Sequence, residues 1–379
     1  MDFRFTEEQE MIRKLARDLT EKEVIPKVAE WDASGRFPRE LFARMGELGL
    51  LGLPFPEEWG GAGADTLSYV LVLEELARGS LGVALSYEAH VSLGCTPLYL
   101  FGTEEQKRKY LVPCAQGKWL ACFGLTEPGA GSDAGATQTT AVLDGDQWVI
   151  NGTKCFITNA SQAEVAVITA VTAKGMGTRG ISAFIVPRGA PGFRVGKAYD
   201  KLGVRCSDTA ELIFEDCRIP RENLLGELNQ GFKQFLKTLD GGRLGVAALA
   251  VGLAQACLDQ ALRYAQQRVQ FGQPLSKFQA VQFKLADMAA ELDVARWYTY
   301  RLAVVKDEGA RITKEAAIAK LFASEAAARA ATQAVQILGA YGFSSEYPVE
   351  RFYRDAKLLE IGEGTSEIQR LVIARELGC

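Results

Sequence analysis

Three long runs of helix-forming residues, 230–268, 275–305 and 313–338, constrain the fold most. The third is almost pure helix former, with alanine recurring from Glu315 to Ala334, and propensity summed over such a window is informative. Its small side chains allow close helix approach, so a packed bundle is expected. The N-terminal third also reads as helical. Thr6-Glu7-Glu8-Gln9 has capping-box spacing, and Ile12, Leu15, Ala16 and Leu19 recur on one helical face. Further helices are expected over 39–48, 66–77, 81–100 and 103–116, with breaks at Pro26 and Gly35 and a loop from Pro54 to Gly63. The mixed-sign run Glu104-Glu105-Gln106-Lys107-Arg108-Lys109 reads as a helix surface.

The pattern changes near Ala121. Short strand-like runs follow at 148–150, 156–158, 165–171, 181–186, 193–195 and 210–214, punctuated by Gly and Pro. Asn151-Gly152 is a strong hairpin-turn signal. No βαβ spacing occurs, so a small antiparallel β domain is expected rather than a doubly wound sheet. With 379 residues and 48% apolar content, the chain exceeds the length at which one core usually stops growing. Three domains are expected: helical 1–120, β 121–229 and helical 230–379.

Composition excludes several functions. Net charge is -4 and interspersed, with no basic block for nucleic acid. Met1-Asp2-Phe3-Arg4-Phe5 lacks the regions of a signal peptide. The most apolar stretch, Leu244–Leu253, is Gly/Ala-rich and too short to span a bilayer. A soluble, cytoplasmic protein with no membrane insertion is expected. Eight scattered cysteines without a CxxC pair suggest buried thiols. The single histidine, His90, excludes a multi-histidine zinc site and any Ser-His-Asp arrangement without it. No metal is expected.

Four segments carry candidate chemistry. In Gly362-Glu363-Gly364-Thr365-Ser366, two glycines hold a carboxylate in a turn between helical runs. Ser366 and Gln369 have capping-box spacing for the helix that follows. A carboxylate held this way fits a general base; the alternative is a solvated Glu in a helix-turn-helix. Leu125-Thr126-Glu127-Pro128-Gly129-Ala130-Gly131-Ser132 is either a binding loop of free amides and hydroxyls or simply a turn. It fits neither a dinucleotide fingerprint nor a P-loop. Arg268-Val269-Gln270-Phe271-Gly272 offers a cation and an aromatic to a flat, anionic ligand, or else ends a helix. Asp240-Gly241-Gly242-Arg243 holds a polar ligand tail or forms a local salt bridge.

These segments, with Asn151–Asn159, Gln336–Gly342, Tyr347–Glu350 and Glu363–Arg370, resemble the acyl-CoA dehydrogenase family in order over almost the whole chain. The resemblance is nearest to the short-chain and general members. It implies an N-terminal helical domain, a middle antiparallel β-barrel-like domain and a C-terminal four-helix bundle. It implies an FAD enzyme, assembled as a homotetramer, that desaturates an acyl-CoA thioester. In that scheme Glu363 removes the α proton and the β hydride passes to flavin N5, giving a trans-2-enoyl-CoA. The Glu363 N–H and a flavin ribityl hydroxyl meet the enolate charge.

By position, Leu125, Thr126, Phe156, Thr158, Thr365 and Glu367 resemble flavin-side residues. Arg268, Phe271, Gln336 and Gly339 resemble the part of the FAD site supplied across a subunit interface. Ser132, Asp240, Arg243 and Gly364 resemble substrate contacts. Three positions depart from common patterns. Phe156 stands where many relatives have Trp, Ala340 where many have Gly, and Gly362 where Tyr is frequent. Some members carry the base at the position of Gly242, which has no side chain here. Leu85-Ser86-Tyr87 and Ala89-His90 resemble the isovaleryl-type branch, against which the missing acid at 242 argues. Electrons must leave for a partner or for oxygen, since no NAD fingerprint or iron–sulfur spacing occurs. The family implies an electron-transfer flavoprotein. The rival readings are an acyl-CoA oxidase and a non-catalytic helical binding or assembly protein.

Overall fold

The computed structural model describes residues 4–379; Met1–Phe3, part of the signal-peptide reading, lie outside it. The chain runs through helices, a sheet and helices again. Eight helices come first: α1 Glu7–Leu19, α2 Val28–Ser34, α3 Arg39–Glu47, α4 Thr66–Gly79, α5 Leu81–Glu88, α6 Thr96–Phe101, α7 Glu104–Gln106 and α8 Val112–Ala115. The Thr6–Gln9 capping box forms in full. The single helix expected over 81–100 is instead α5, a π-helical segment Ala89–Cys95, and α6. Such π segments are often found at functional sites, and this one leads away from Glu88.

Strands β1 Ala121–Gly124, β2 Thr140–Asp144, β3 Gln147–Thr158, β4 Val165–Val171, β5 Ile181–Pro187, β6 Phe193–Ala198, β7 Thr209–Pro220 and β8 Leu224–Leu225 make one sheet. Its order is β6-β7-β3-β2-β4-β5-β8, with β1 also on β4. The sheet is mostly antiparallel, but β1 pairs with β4 in parallel and β2 meets β4 at one parallel pair. The chain between these partners passes through other strands of the sheet, not through a crossover helix, so no βαβ spacing marks the parallel pairs.

Asn151-Gly152 is not a hairpin turn. It lies inside β3, and the turn falls at Gly145-Asp146, where Asp144 pairs with Gln147. The register shifts between Ile150 and Gly152. A Cβ on Gly152 would stand 2.7 Å from Thr139 Cα, so glycine there serves a bulge and a close backbone approach.

The C-terminal helices are α9 Gly231–Gln267, α10 Gln279–Asp307, α11 Thr313–Leu338, α12 Val349–Leu359 and α13 Ser366–Glu376. The short ribbon β9 Val269–Gln270 and β10 Gln273–Pro274 joins α9 to α10. Helix α9 packs on α11, α10 and α4, so the two helical parts share one core. A second core fills the sheet around Trp148, Ile168, Phe184 and Leu212. At 37 residues α9 is long and apolar enough to cross a membrane, contrary to the reading of Leu244–Leu253 alone; 78% of its apolar window is buried in the protein's own interior. Seven of the eight cysteines are buried thiols and Cys379 is exposed. Buried His90 accepts from the Ala121 N–H at Nδ1 (3.0 Å), tying α5's continuation to β1.

Close approach of α9 to α4 depends on Gly252, where a Cβ would overlap Glu74 O and stand 2.8 Å from Ala77 Cβ. Alanine gains about 1 kcal/mol of helix propensity over glycine, but overpacking against backbone costs about 1–3 kcal/mol. Gly252→Ala is therefore expected to lower the midpoint of urea unfolding at fixed protein concentration. An unchanged or higher midpoint would show that the two helices separate freely.

Candidate active site

The site begins with a turn. Helix α12 ends at Leu359, and the Ile361 and Gly362 N–H groups donate back to Leu358 O at 2.9 and 2.8 Å. The chain then turns left-handed at Glu363 (φ 55°) and Gly364 (φ 99°). A non-glycine residue in this region costs roughly 1–3 kcal/mol and persists only where its surroundings over-determine it. Two side chains do so. Lys320 of α11, fully buried, donates to Gly364 O at 2.8 Å. Gln369 Nε2 donates to Gly364 O at 2.9 Å and Glu363 O at 3.2 Å. Gln369 is thus diverted from the expected capping box. Thr365 caps α13 instead, accepting from the Ile368 N–H at 3.3 Å. Burial pulls the Lys320 ammonium down to about 8, against the pull of Glu363 and Glu360.

Residue Glu363 is half-buried overall, but its Oε2 is enclosed. This oxygen points at α9, where a Cβ on Gly242 would overlap it. Burial pushes the carboxyl up to about 7, against the opposing effects of a Glu88 hydrogen bond and of the Lys320 and Arg243 charges. Asp240 and Arg243 do form a local pair at 2.6 Å, and the Thr313 hydroxyl donates to Asp240 at 2.7 Å. Both also line a cavity of about 900 Å³ with Tyr69, Ser92, Lys306 and Arg311. Glu363 is not part of that lining; Tyr69 and Arg243, which are, feel its charge.

Sequence reasoning missed Glu88. It is fully buried at the end of α5, accepts from the Ser92 hydroxyl, and feels the Glu363 charge. Its signal was legible: a glutamate closing an apolar helix, with Ala84, Leu85, Val91 and Ser92 at the positions where a partner cation would stand.

The second group of expected residues lies on the sheet. Buried Lys154 of β3 pairs with Glu127 at 2.7 Å and donates to Leu125 O and Thr169 Oγ1. Burial lowers Lys154 to about 8 despite Glu127. Burial would raise the Glu127 carboxyl, but Lys154 and the Thr139 and Gln138 amides outweigh it and hold it low. This pair fixes the 125–132 loop, helped by the Cys155 N–H donating to Thr126 O at 2.9 Å. Ser132 lies exposed on that loop.

Phe156 sits at a register shift in β3 with φ 56°, 63% exposed, and stacks on Tyr199 at 4.4 Å. Thr158 pairs with Thr209. Asn159 then donates to Ser86 O at 2.8 Å, joining this edge to α5. An exposed aromatic face beside hydroxyls, with open space around Gly129 and Gly131, fits a planar ring with polar edges such as a flavin.

Arg268, Phe271, Gln336 and Gly339 form a separate, exposed group. The Arg268 guanidinium lies 5.7 Å over the Tyr341 ring beside Gly339 (φ 62°), and Phe271 is 95% exposed. Phe271 meets Phe278 edge-on at 6.2 Å. Thr365 and Glu367 lie at the start of α13, where Glu367 is exposed. Its carboxyl is lowered by its own amide and by the Thr365 hydroxyl.

Family models for the acyl-CoA dehydrogenase N-terminal, middle and C-terminal domains match residues 6–118, 122–217 and 229–378. The chain belongs to the acyl-CoA dehydrogenase family. Like its relatives it is a flavin-dependent oxidoreductase of acyl-CoA. A probable acyl-CoA dehydrogenase of Bacillus subtilis is 59% identical, with both chains covered in full. The structure of butyryl-CoA dehydrogenase from Megasphaera elsdenii superposes with TM-score 0.98 at 49% identity, again over the whole of both chains. A chain from a structure of the electron transferring flavoprotein of Acidaminococcus fermentans superposes at 0.98 with 51% identity, covering 100% of this chain and 99% of that one.

Removing one member of a buried ion pair leaves a charge uncompensated and costs about 3–5 kcal/mol. Lys154→Met is expected to lower stability by about that much and to loosen the 125–132 loop. Thermal unfolding and limited proteolysis of the loop check this; unchanged values would make the pair dispensable.

Proposed function

We propose that the chain oxidises an acyl-CoA thioester to its trans-2-enoyl-CoA, with Glu363 as the base and FAD as the cofactor. The observation that carries this is the enclosed Glu363 carboxylate, held by a strained turn and aimed at the space Gly242 leaves open. A base works best with a pKa near the operating pH, and burial has brought Glu363 to about 7. The ionised side chain takes the α proton. Asp240 and Arg243 hold the substrate's tail in the cavity they line, and Ser132 and Gly364 are its contacts outside that lining. The Glu363 N–H, which takes no part in the turn's backbone bonds, serves the thioester oxygen. Bound FAD supplies the hydride acceptor. Leu125, Thr126, Phe156, Thr158, Thr365 and Glu367 would hold it. The butyryl-CoA dehydrogenase relative favours a short acyl chain.

The exposed group of Arg268, Phe271, Gln336 and Gly339 reads as a contribution to a neighbour's FAD in a homotetramer. Phe271, and Phe343 at 88% exposure, are large apolar surfaces that a neighbour would cover. The reaction belongs in fatty acid β-oxidation and lipid metabolism, in the cytoplasm. An electron-transfer flavoprotein is the acceptor this reading favours, supported by the structural relative from such a protein.

Purified enzyme is expected to carry FAD, identified after release, and anaerobic acyl-CoA thioesters to bleach it. Glu363→Gln keeps size and polarity but accepts no proton, so bleaching falls by several orders of magnitude while FAD stays bound. The wild-type rate is expected to rise with pH through about 7 and then level, because only ionised Glu363 is competent. Comparable bleaching in the two proteins would remove Glu363 from the base role.

Reoxidation of the reduced, product-bound enzyme separates the dehydrogenase from the oxidase. Stopped-flow mixing is expected to show fast electron transfer to an electron-transfer flavoprotein and slow reaction with oxygen. Fast oxygen turnover yielding stoichiometric hydrogen peroxide would assign the chain as an oxidase.

A further inference from the structure

The reaction outlined above leaves Glu88 without a task. Its Oε1 accepts from the Ser92 hydroxyl and would stand 2.7 Å from a Cβ on Gly245. Gly242, one turn earlier on α9, makes the same allowance for Glu363 Oε2. Residues three apart on a helix are neighbours, so two glycines of α9 house two carboxyl groups side by side. Each carboxyl has an enclosed Oε2 that no surrounding donor reaches, and the two groups lie close enough to act on one another. Ionised carboxylates only accept, so a bond between them requires a proton. One shared proton satisfies both oxygens, and two adjacent buried carboxyls resist double ionisation.

The surroundings are asymmetric. Glu363 feels the cations Lys320 of α11 and Arg243 of α9. Glu88 faces the Ser92 hydroxyl, the Tyr69 phenol of α4 and Glu363 itself. We propose that Glu88 is a positioning residue, a neutral carboxylic acid whose O–H donates to Glu363 and keeps that carboxylate charged and aimed. This rests on Glu363 being the base. Burial and the Glu363 charge both push the Glu88 carboxyl well above the usual range, in keeping with the neutral form.

Infrared difference spectra of the resting holoenzyme, recorded above pH 7 where the rate profile has levelled, test where the proton sits, without any substrate. Wild type minus Glu88→Gln is expected to show the carbonyl band of a protonated carboxylic acid. Wild type minus Glu363→Gln is expected to show none beyond a small shift. Asp355, a buried carboxyl raised to about 7 elsewhere, contributes equally to all three and cancels. The reverse assignment, or no acid band in either difference, overturns the proposal.

The pH profile of substrate-driven flavin reduction gives a second reading. Glu88→Ala removes the donor, so the acidic limb moves up by about one pH unit, roughly tenfold slower reduction at a fixed acidic pH. Glu88→Gln restores a donor through its amide, and the limb stays within a few tenths of a unit of wild type. Wild-type limbs in both variants would refute the positioning role. Should Glu88→Ala not fold, the infrared test still decides through the other two proteins. If Glu363→Gln reduced flavin normally, the base reading would fall while the infrared result on Glu88 stood by itself.

Discussion

The bond from Lys320 to the Gly364 carbonyl carries the active site. It joins the middle of the alanine-rich helix to a turn that would not otherwise hold a left-handed glutamate. A buried ammonium is costly to desolvate, and it is tolerable here because it meets a carbonyl and the nearby Glu363 and Glu360 carboxylates. The same cation opposes the burial that raises Glu363. One lysine therefore sets both the backbone geometry at Glu363 and part of that carboxyl's acidity. The small residues around it, Ala316, Ala317 and Ala323, let α11 sit close enough to the turn for a side chain to reach it.

Burial of Glu363 makes its carboxyl a weaker acid and ties folding to pH. Its folded carboxyl titrates near 7 rather than near the ordinary 4.5. The folded chain thus binds more protons than the unfolded chain between those values. This contribution to stability is full below the unfolded value and declines as pH rises through the folded one. A carboxyl raised in this way is held in place by the rest of the fold, in particular by the α9–α11–α4 core, rather than by its own charges.

Much of this was legible in the sequence because its signals were local. Capping at Thr6, the long helix of residues 313–338 and the Gly-flanked Glu363 depend on neighbours in the chain, and the structure has them where the pattern put them. Misreadings arose where distant contacts decide. Asn151-Gly152 has turn chemistry, but the close approach of Thr139 turns it into a bulge. Gln369 has capping-box spacing, but the Glu363 and Gly364 carbonyls claim its amide. Glu88 was overlooked because its partner lies far along the chain, on the turn after α12. The helix 81–100 was read as continuous because a π segment leaves apolar periodicity nearly intact.

The relation of Gly242 to Glu363 is steric. A side chain on α9 at position 242 would occupy the space that the Glu363 carboxylate now fills. Two carboxylates could not both enter it without overlap and repulsion, so an acid at one position requires a small residue at the other. The space between α9 and the turn therefore takes one carboxylate, whichever element supplies it. In this chain the turn supplies it, and a second acid enters from a third element, α5, through the gap that Gly245 leaves. The glycines of α9 are therefore as much a part of the site as the carboxylates. Their lack of side chains makes a space that two other segments fill with opposite protonation states, one acid and one base.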